Sequence, residues 1–240
     1  MAASHSLAAL SGAAIIFDLD GTLVDTAPDL VAVLNRVLGE AGLQPLPFEE
    51  GRNLIGGGAK ALLERGFARA GQDLPGPRGD VLFERFLELY RGRIAQESRP
   101  YPGVVETLAE LSNAGAALAV CTNKRTDLSV ALLAQLDLTR FFTTVMGPDA
   151  AGARKPDRRH LEAAIAGAGG DPARALMVGD SITDAAVARA AGVPLILVSF
   201  GYTETPAAEL SPDVLIDHYD QLTDACVGLL SAQAAGPGRV

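Results

Sequence analysis

Lysine is scarce in this chain, cysteine nearly absent, and long apolar runs are missing. The two cysteines, Cys121 and Cys226, lie far apart and match no metal-ligand or redox spacing, so a disulfide scaffold or thiolate metal site is excluded and two reduced thiols are expected. No uncharged apolar stretch reaches the roughly 20 residues that a bilayer span needs. Residues 1–17 carry no Lys, Arg, Asp or Glu, and the first basic residue other than His5 is Arg36, so the positive start of a secretion signal is missing. A soluble, cytoplasmic protein is expected. Basic residues are also outnumbered, giving a net charge of −9, which argues against a nucleic-acid or anionic-membrane surface. Any anionic ligand must be held by a local positive site.

What is present points to a packed α/β protein. The 240 residues are 48% hydrophobic, enough for one large domain or two smaller ones. Short apolar runs rich in β-branched residues recur at 13–20, 116–123, 142–149, 175–181 and 194–201, each ending in polar or glycine residues. Such runs read as buried parallel strands. Segments 105–115, 127–138, 160–169 and 184–192 show helical spacing, and several close on glycine. The alternation predicts an open, parallel, Rossmann-like sheet with helices on both faces.

One interval breaks the rhythm. Between the first and second strands nearly a hundred residues read as helix, beginning with Thr26-Ala27-Pro28-Asp29, which looks like a capping box. Leu30, Val33, Leu34, Val37 and Leu38 then form one apolar stripe, further helices are expected at 58–70 and 79–96, and a stiff linker follows at 99–103. The expected organisation is a core of residues 1–25 and 99–240 with a helical cap domain, 26–98, inserted after the first strand.

In an open parallel sheet, ligands bind beyond the carboxyl ends of the strands. Asp18 and Asp20 end the first strand here, Thr122 and Asn123 the second, and Asp180 and Ser181 the fourth, while Lys155 lies in the connection after the third. Converging carboxylates repel one another unless a counter-charge joins them. Oxygen-only ligands without clustered His or Cys point to Mg²⁺ rather than zinc. Of the basic residues seventeen are Arg and only Lys60, Lys124 and Lys155 are Lys, so a compact point charge suited to a phosphate oxygen stands out at Lys155.

Asp18-Leu19-Asp20-Gly21-Thr22, Thr122-Asn123, Lys155-Pro156-Asp157 and Gly179-Asp180-Ser181-Ile182-Thr183-Asp184 resemble, in order, the four motifs of the haloacid dehalogenase superfamily. The resemblance implies that Asp18 is a nucleophile forming an aspartyl-phosphate and that Asp20 protonates the leaving oxygen and later activates water. It implies that Thr122, Asn123 and Lys155 hold the phosphoryl group. Asp18, the Asp20 carbonyl and Asp180 would bind Mg²⁺, with Asp184 and Ser181 supporting the metal from behind. Asp20 itself argues against the superfamily's dehalogenases and phosphonatases, which lack a carboxylate there.

Residues 52–65 and the segments Phe200-Gly201-Tyr202 and 213–217 resemble bacterial phosphoglycolate phosphatases, although a proline often found three residues after the motif lysine is Arg158 here. The implied substrate is 2-phosphoglycolate, hydrolysed to glycolate and phosphate. Arg52, Gly56, Lys60 and Lys124 are the expected specificity residues. An inorganic pyrophosphatase, a sugar-phosphate phosphatase or a phosphomutase would share this core. A phospho-accepting, receiver-like signalling domain would also combine acidic strand ends, Thr, Lys and Mg²⁺, but the insertion and Asp20 fit it poorly. Monomer and homodimer both remain open.

Overall fold

The apolar run Ala-Ile-Ile-Phe becomes strand β1 (Ala14–Phe17), buried at every residue. In the computed structural model, which describes residues 7–74, 76–203 and 205–235, it is followed by a two-residue strand β2 (Val24–Asp25) and four helices, α1 (Ala27–Glu40), α2 (Phe48–Asn53), α3 (Ala59–Arg69) and α4 (Gly76–Arg91). The ends of the expected core segments, 1–6 and 236–240, lie outside the described residues. The chain returns through β3 (Arg99–Pro100) and then alternates: α5 (Val104–Asn113), β4 (Ala117–Cys121), α6 (Thr126–Gln135), β5 (Thr144–Met146), α7 (Pro148–Ala151) and α8 (Arg158–Gly167). It ends with β6 (Ala175–Gly179), α9 (Ile182–Ala191), β7 (Leu195–Val198), β8 (Val214–Ile216) and α10 (Leu222–Ala235).

Six strands form one parallel sheet in the order β5-β4-β1-β6-β7-β8. Because side chains alternate across a strand, Ile15 and Phe17 join the apolar cluster on one face, with Val120 and Val178, while Ala14 and Ile16 join the other, with Ala119 and Met177. The chain leaves β1 towards β4 and leaves β6 towards β7. Connections from these two neighbours therefore diverge, opening a crevice beyond their carboxyl ends. Asp18 and Asp180 flank that crevice.

Helices α1 to α4 stand between β2 and β3, which pair antiparallel with Val24 opposite Pro100 and Asp25 opposite Arg99. The linker at 99–103 thus begins as a strand. Two residues are too few for a periodicity to announce it. Helix α2, strand β8 and helix α10 were likewise not anticipated. In α10 Leu222, Cys226, Val227 and Leu230 are buried, yet its apolar residues are spread around the helix and the stripe is faint.

The expected capping box at Thr26 is not formed. The Thr26 hydroxyl makes no cap bond and instead donates to Asp20 Oδ1 at 2.8 Å, which lies within its reach across the turn. The first helical amide, Ala27 N–H, is met by Tyr202 Oη at 3.0 Å. Asp29 turns away from the helix start and binds the returning chain. It accepts from Glu97 N–H at 2.9 Å, Ser98 N–H at 2.8 Å, Ser98 Oγ at 2.7 Å and Arg93 Nε at 2.9 Å.

Burial pushes the Asp29 carboxyl up, but the hydrogen bonds from Ser98, Glu97 and Arg93 outweigh it and hold its pKa below the ordinary value. Its stabilisation is therefore present above the ordinary carboxylate pKa and lost as pH falls through the lowered one. Asp29→Ala, which strands these donors, is expected to cost about 3 kcal/mol in urea unfolding at pH 7, with the difference shrinking in acid. A cost below about 1 kcal/mol at pH 7 would show that Asp29 does not secure this junction.

Candidate active site

Four strand ends bring the site together. Asp18 leaves β1 held in sheet register, its N–H donating to the Val178 carbonyl at 2.9 Å. Two residues beyond Val178, Asp180 leaves β6 beside it. Asp184, on the first turn of α9, completes a group of three buried carboxylates, each offering an oxygen within 4.8 Å of the others. Lys155, reached through the loop after α7, is 2% exposed and places Nζ 2.9 Å from Asp18 Oδ1 and 2.6 Å from Asp184 Oδ1. Thr122 ends β4 on the other side of β1.

Each carboxylate is oriented by its surroundings. Asp180 accepts from Thr22 Oγ1 at 2.9 Å and from Tyr202 N–H at 2.7 Å. Gly21 lets the loop pass this close: its φ is +85° and an added Cβ would lie 2.4 Å from Asp180 Oδ2. Asp184 Oδ2 takes the Ser181 hydroxyl at 2.6 Å and the Ser181 and Asp180 N–H groups at 3.0 and 3.2 Å. Its other oxygen is left to Lys155.

Lys155 is fixed through its backbone, whose N–H lies 2.9 Å from Asn123 Oδ1 and 3.1 Å from His160 Nδ1. The Asn123 Nδ2 group donates to the Lys155 carbonyl at 3.2 Å, so the Asn123 side chain, which also lines the pocket, positions the lysine loop. The buried His160 places Nε2 3.0 Å from the Met146 carbonyl. The arrangement suits a neutral ring that accepts at Nδ1 and donates at Nε2, and burial lowers its pKa to match.

Charge does not balance in this cluster. Burial raises Asp18 to about 6; Lys155 pulls it down, while Asp184 and Asp20 push it up. Burial, then Asp184 and Asp18, raise Asp180 well above the ordinary carboxylate value. Burial opposes the Lys155 charge, but Asp18 and Asp184 outweigh it and raise its pKa. Asp18 Oδ1 is sealed from solvent and, apart from its close approach to Lys155, has no hydrogen-bond partner. One ammonium among three buried carboxylates leaves negative charge to be met. The donors are all oxygens, which fits a hard divalent cation.

Asp20 stands apart from the three. Its Oδ1 accepts from Lys124 Nζ at 2.6 Å as well as from Thr26. Above these groups lies a pocket of about 170 Å³, roofed by the Gly56–Gly58 turn and by side chains from α3 and α4. Gly58 brings that turn against the core: with φ +87°, an added Cβ would lie 2.8 Å from the Asn123 carbonyl.

Among the expected specificity residues, Gly56, Lys60 and Lys124 line the pocket. Lys60, however, is exposed and pairs with Asp80 at 3.3 Å. Arg52 does not line it. Its guanidinium donates to the Phe200 and Gly201 carbonyls at 3.1 and 3.2 Å and covers the Tyr202 ring, so it holds the loop that positions Asp180. Thr22 and Tyr202 stood inside recognised motifs without an assigned role. His160 carried no sequence signal, since a lone histidine on a helix is ordinary.

Three comparisons bear on this geometry. The family model of haloacid dehalogenase-like hydrolases matches residues 15–198. A phosphoglycolate phosphatase of Caulobacter vibrioides is 55% identical over 93% of this chain and 94% of that protein, and one of Agrobacterium fabrum is 50% identical over 92% and 94%. A crystal structure of a predicted phosphoglycolate phosphatase from Haemophilus somnus superposes with a TM-score of 0.83 at 29% identity, covering 90% of this chain and 98% of that one.

Proposed function

This chain belongs to the haloacid dehalogenase-like hydrolases and is a phosphatase, and on that basis we propose that it hydrolyses 2-phosphoglycolate to glycolate and phosphate through an aspartyl-phosphate on Asp18. The observation that carries this reading is a carboxylate at the floor of a small pocket, 2.9 Å from a buried ammonium, with a second acid two residues along the chain. The relatives named above supply the substrate. The pocket agrees with it, being smaller than the roughly 300 Å³ at which drug-sized sites begin.

Asp18 would attack phosphorus as the ester P–O bond breaks, and Asp20 would give its proton to the departing oxygen. Water would then attack the aspartyl-phosphate with Asp20 accepting its proton, so that phosphate leaves and Asp18 is restored. Lys155 and the Thr122 hydroxyl would meet the phosphoryl oxygens, whose negative charge otherwise repels an anionic nucleophile. Asp18, the Asp20 carbonyl and Asp180 would hold Mg²⁺, with Asp184 and Ser181 behind them. The ion would neutralise charge on the phosphoryl group and on the carboxylates together. Helices α1 to α4 would act as a cap, residues 26–98, that shields the reaction from water, the paired β2 and β3 serving as its hinge.

Among the described residues no helix is long and apolar enough to cross a membrane. The two buried free cysteines support a reducing, cytoplasmic setting.

A panel of phosphate esters assayed with Mg²⁺ tests the reading. We expect kcat/KM for 2-phosphoglycolate to exceed that for pyrophosphate, a hexose phosphate or p-nitrophenyl phosphate by at least about tenfold, one transition-state contact's worth. Chelation should reduce turnover to background. A comparable value for pyrophosphate or a hexose phosphate would displace the substrate, and full activity in excess chelator would remove the metal.

A further inference from the structure

The proposed substrate is charged at both ends, and the groups assigned so far meet only the phosphate. Its carboxylate lies one methylene from the ester oxygen, which must sit beside Asp20 to receive a proton. The groups adjoining Asp20 on the side of α4 are therefore the ones a carboxylate would meet. Lys124 Nζ, 2.6 Å from Asp20, is the first. It lies 4.7 Å from the centre of the Tyr90 ring, on the last turns of α4.

Tyr90 is 1% exposed and lines the pocket, and its hydroxyl has the Lys124 ammonium as its hydrogen-bonding neighbour. An ammonium can only donate, so the phenol oxygen accepts from Lys124 and its own O–H is left to find an acceptor. The neighbouring walls, Leu62, Phe83 and Leu87, offer no polar group. Burial pushes the phenol up to about 12; Lys124 lowers it and Asp20 raises it, and the hydroxyl remains a donor at neutral pH.

We propose that the Tyr90 hydroxyl, together with the Lys124 ammonium, receives the carboxylate of the substrate and so sets the preference for a phosphorylated acid over an uncharged ester. The inference rests on the substrate reading above. It makes Tyr90 a specificity residue contributed by the helical segment, paired with a cation from the core that also holds Asp20.

The test is the ratio of kcat/KM for 2-phosphoglycolate to that for ethyl phosphate, which has the same carbon count and no carboxylate. In Tyr90→Phe this ratio should fall at least about tenfold, the usual loss of a hydrogen bond to a charged group. The variant's Tm should fall little, because Lys124 keeps its 2.6 Å bond to Asp20 when the phenol oxygen is removed. A ratio within threefold of wild type would overturn the proposal. So would a marked fall in Tm with equal losses on both substrates, which would make the hydroxyl structural. A wild-type ratio near one would instead remove the substrate reading itself, whatever the variant does.

Discussion

Asp18→Asn should abolish the phosphoenzyme and lower kcat by at least about 10⁴-fold, while making the metal-free protein more stable at pH 7.5. The first effect follows from the loss of an anionic oxygen that no neighbour can replace: Asp184 is spent on Ser181 and Lys155, and Asp180 on Thr22 and Tyr202. The second follows from the cluster's charge. Burial, opposed by Lys155 and reinforced by Asp184 and Asp20, raises Asp18 from 3.8 to about 6. A raised folded pKa means that its contribution is fully present below 3.8 and is lost as pH rises through about 6. Asparagine cannot ionise, so at pH 7.5 it avoids a destabilisation on the order of 1–3 kcal/mol, and at pH 4 the advantage vanishes. Urea unfolding in EDTA at the two pH values measures this. Half of wild-type activity in the variant would contradict the nucleophile, and equal stabilities at pH 7.5 would contradict the uncompensated charge.

Lys155→Ala should move stability the other way. The ammonium is 1% exposed and bridges Asp18 and Asp184, so its removal leaves two buried carboxylates facing each other. Breaking such a pair from one side costs about 3–5 kcal/mol. The cost should be largest at neutral pH and shrink in acid as the carboxylates protonate. Activity should fall at least about 10³-fold, since the group proposed to meet the transferred oxygens also balances the proposed nucleophile. Lys155→Arg should not restore it, because a planar guanidinium cannot replace a compact ammonium in a sealed space. Rescue of more than a tenth of wild-type kcat by arginine would show that charge alone suffices. Opposite stability changes in Asp18→Asn and Lys155→Ala would identify an excess of negative charge as the defining property of the free site.

Much of the sheet was legible before any coordinate. Residues 14–17, 117–121, 144–146, 175–179 and 195–198 are strands where apolar runs predicted them. A strand buried on both faces must be apolar throughout, and that signature is local. Strand β8 is only three residues long, with Leu215 exposed, and β2 and β3 are two residues each. Such segments are strands only because a partner lies alongside. The capping box failed for a related reason: Thr26 and Asp29 have the right spacing, but each found another partner, Asp20 in one case and the returning chain at 97–98 in the other.

The kind of chemistry was carried by the sequence itself. Oxygen ligands without thiol or imidazole, one scarce lysine, and acidic residues at the ends of buried parallel strands point to a hard cation and an anionic substrate at one edge of a sheet. Those properties depend on residue type and local periodicity, which short-range sterics and burial impose wherever the segment folds. Partnership was decided by the tertiary structure alone. It turned Asn123 towards the Lys155 backbone, sent Arg52 to the loop at 200–201, set His160 behind the lysine, and brought the Tyr90 hydroxyl beside Lys124 in the pocket. Each depends on which distant group arrives within about 3 Å, a distance set by the packing of the whole chain and by no local stretch of it.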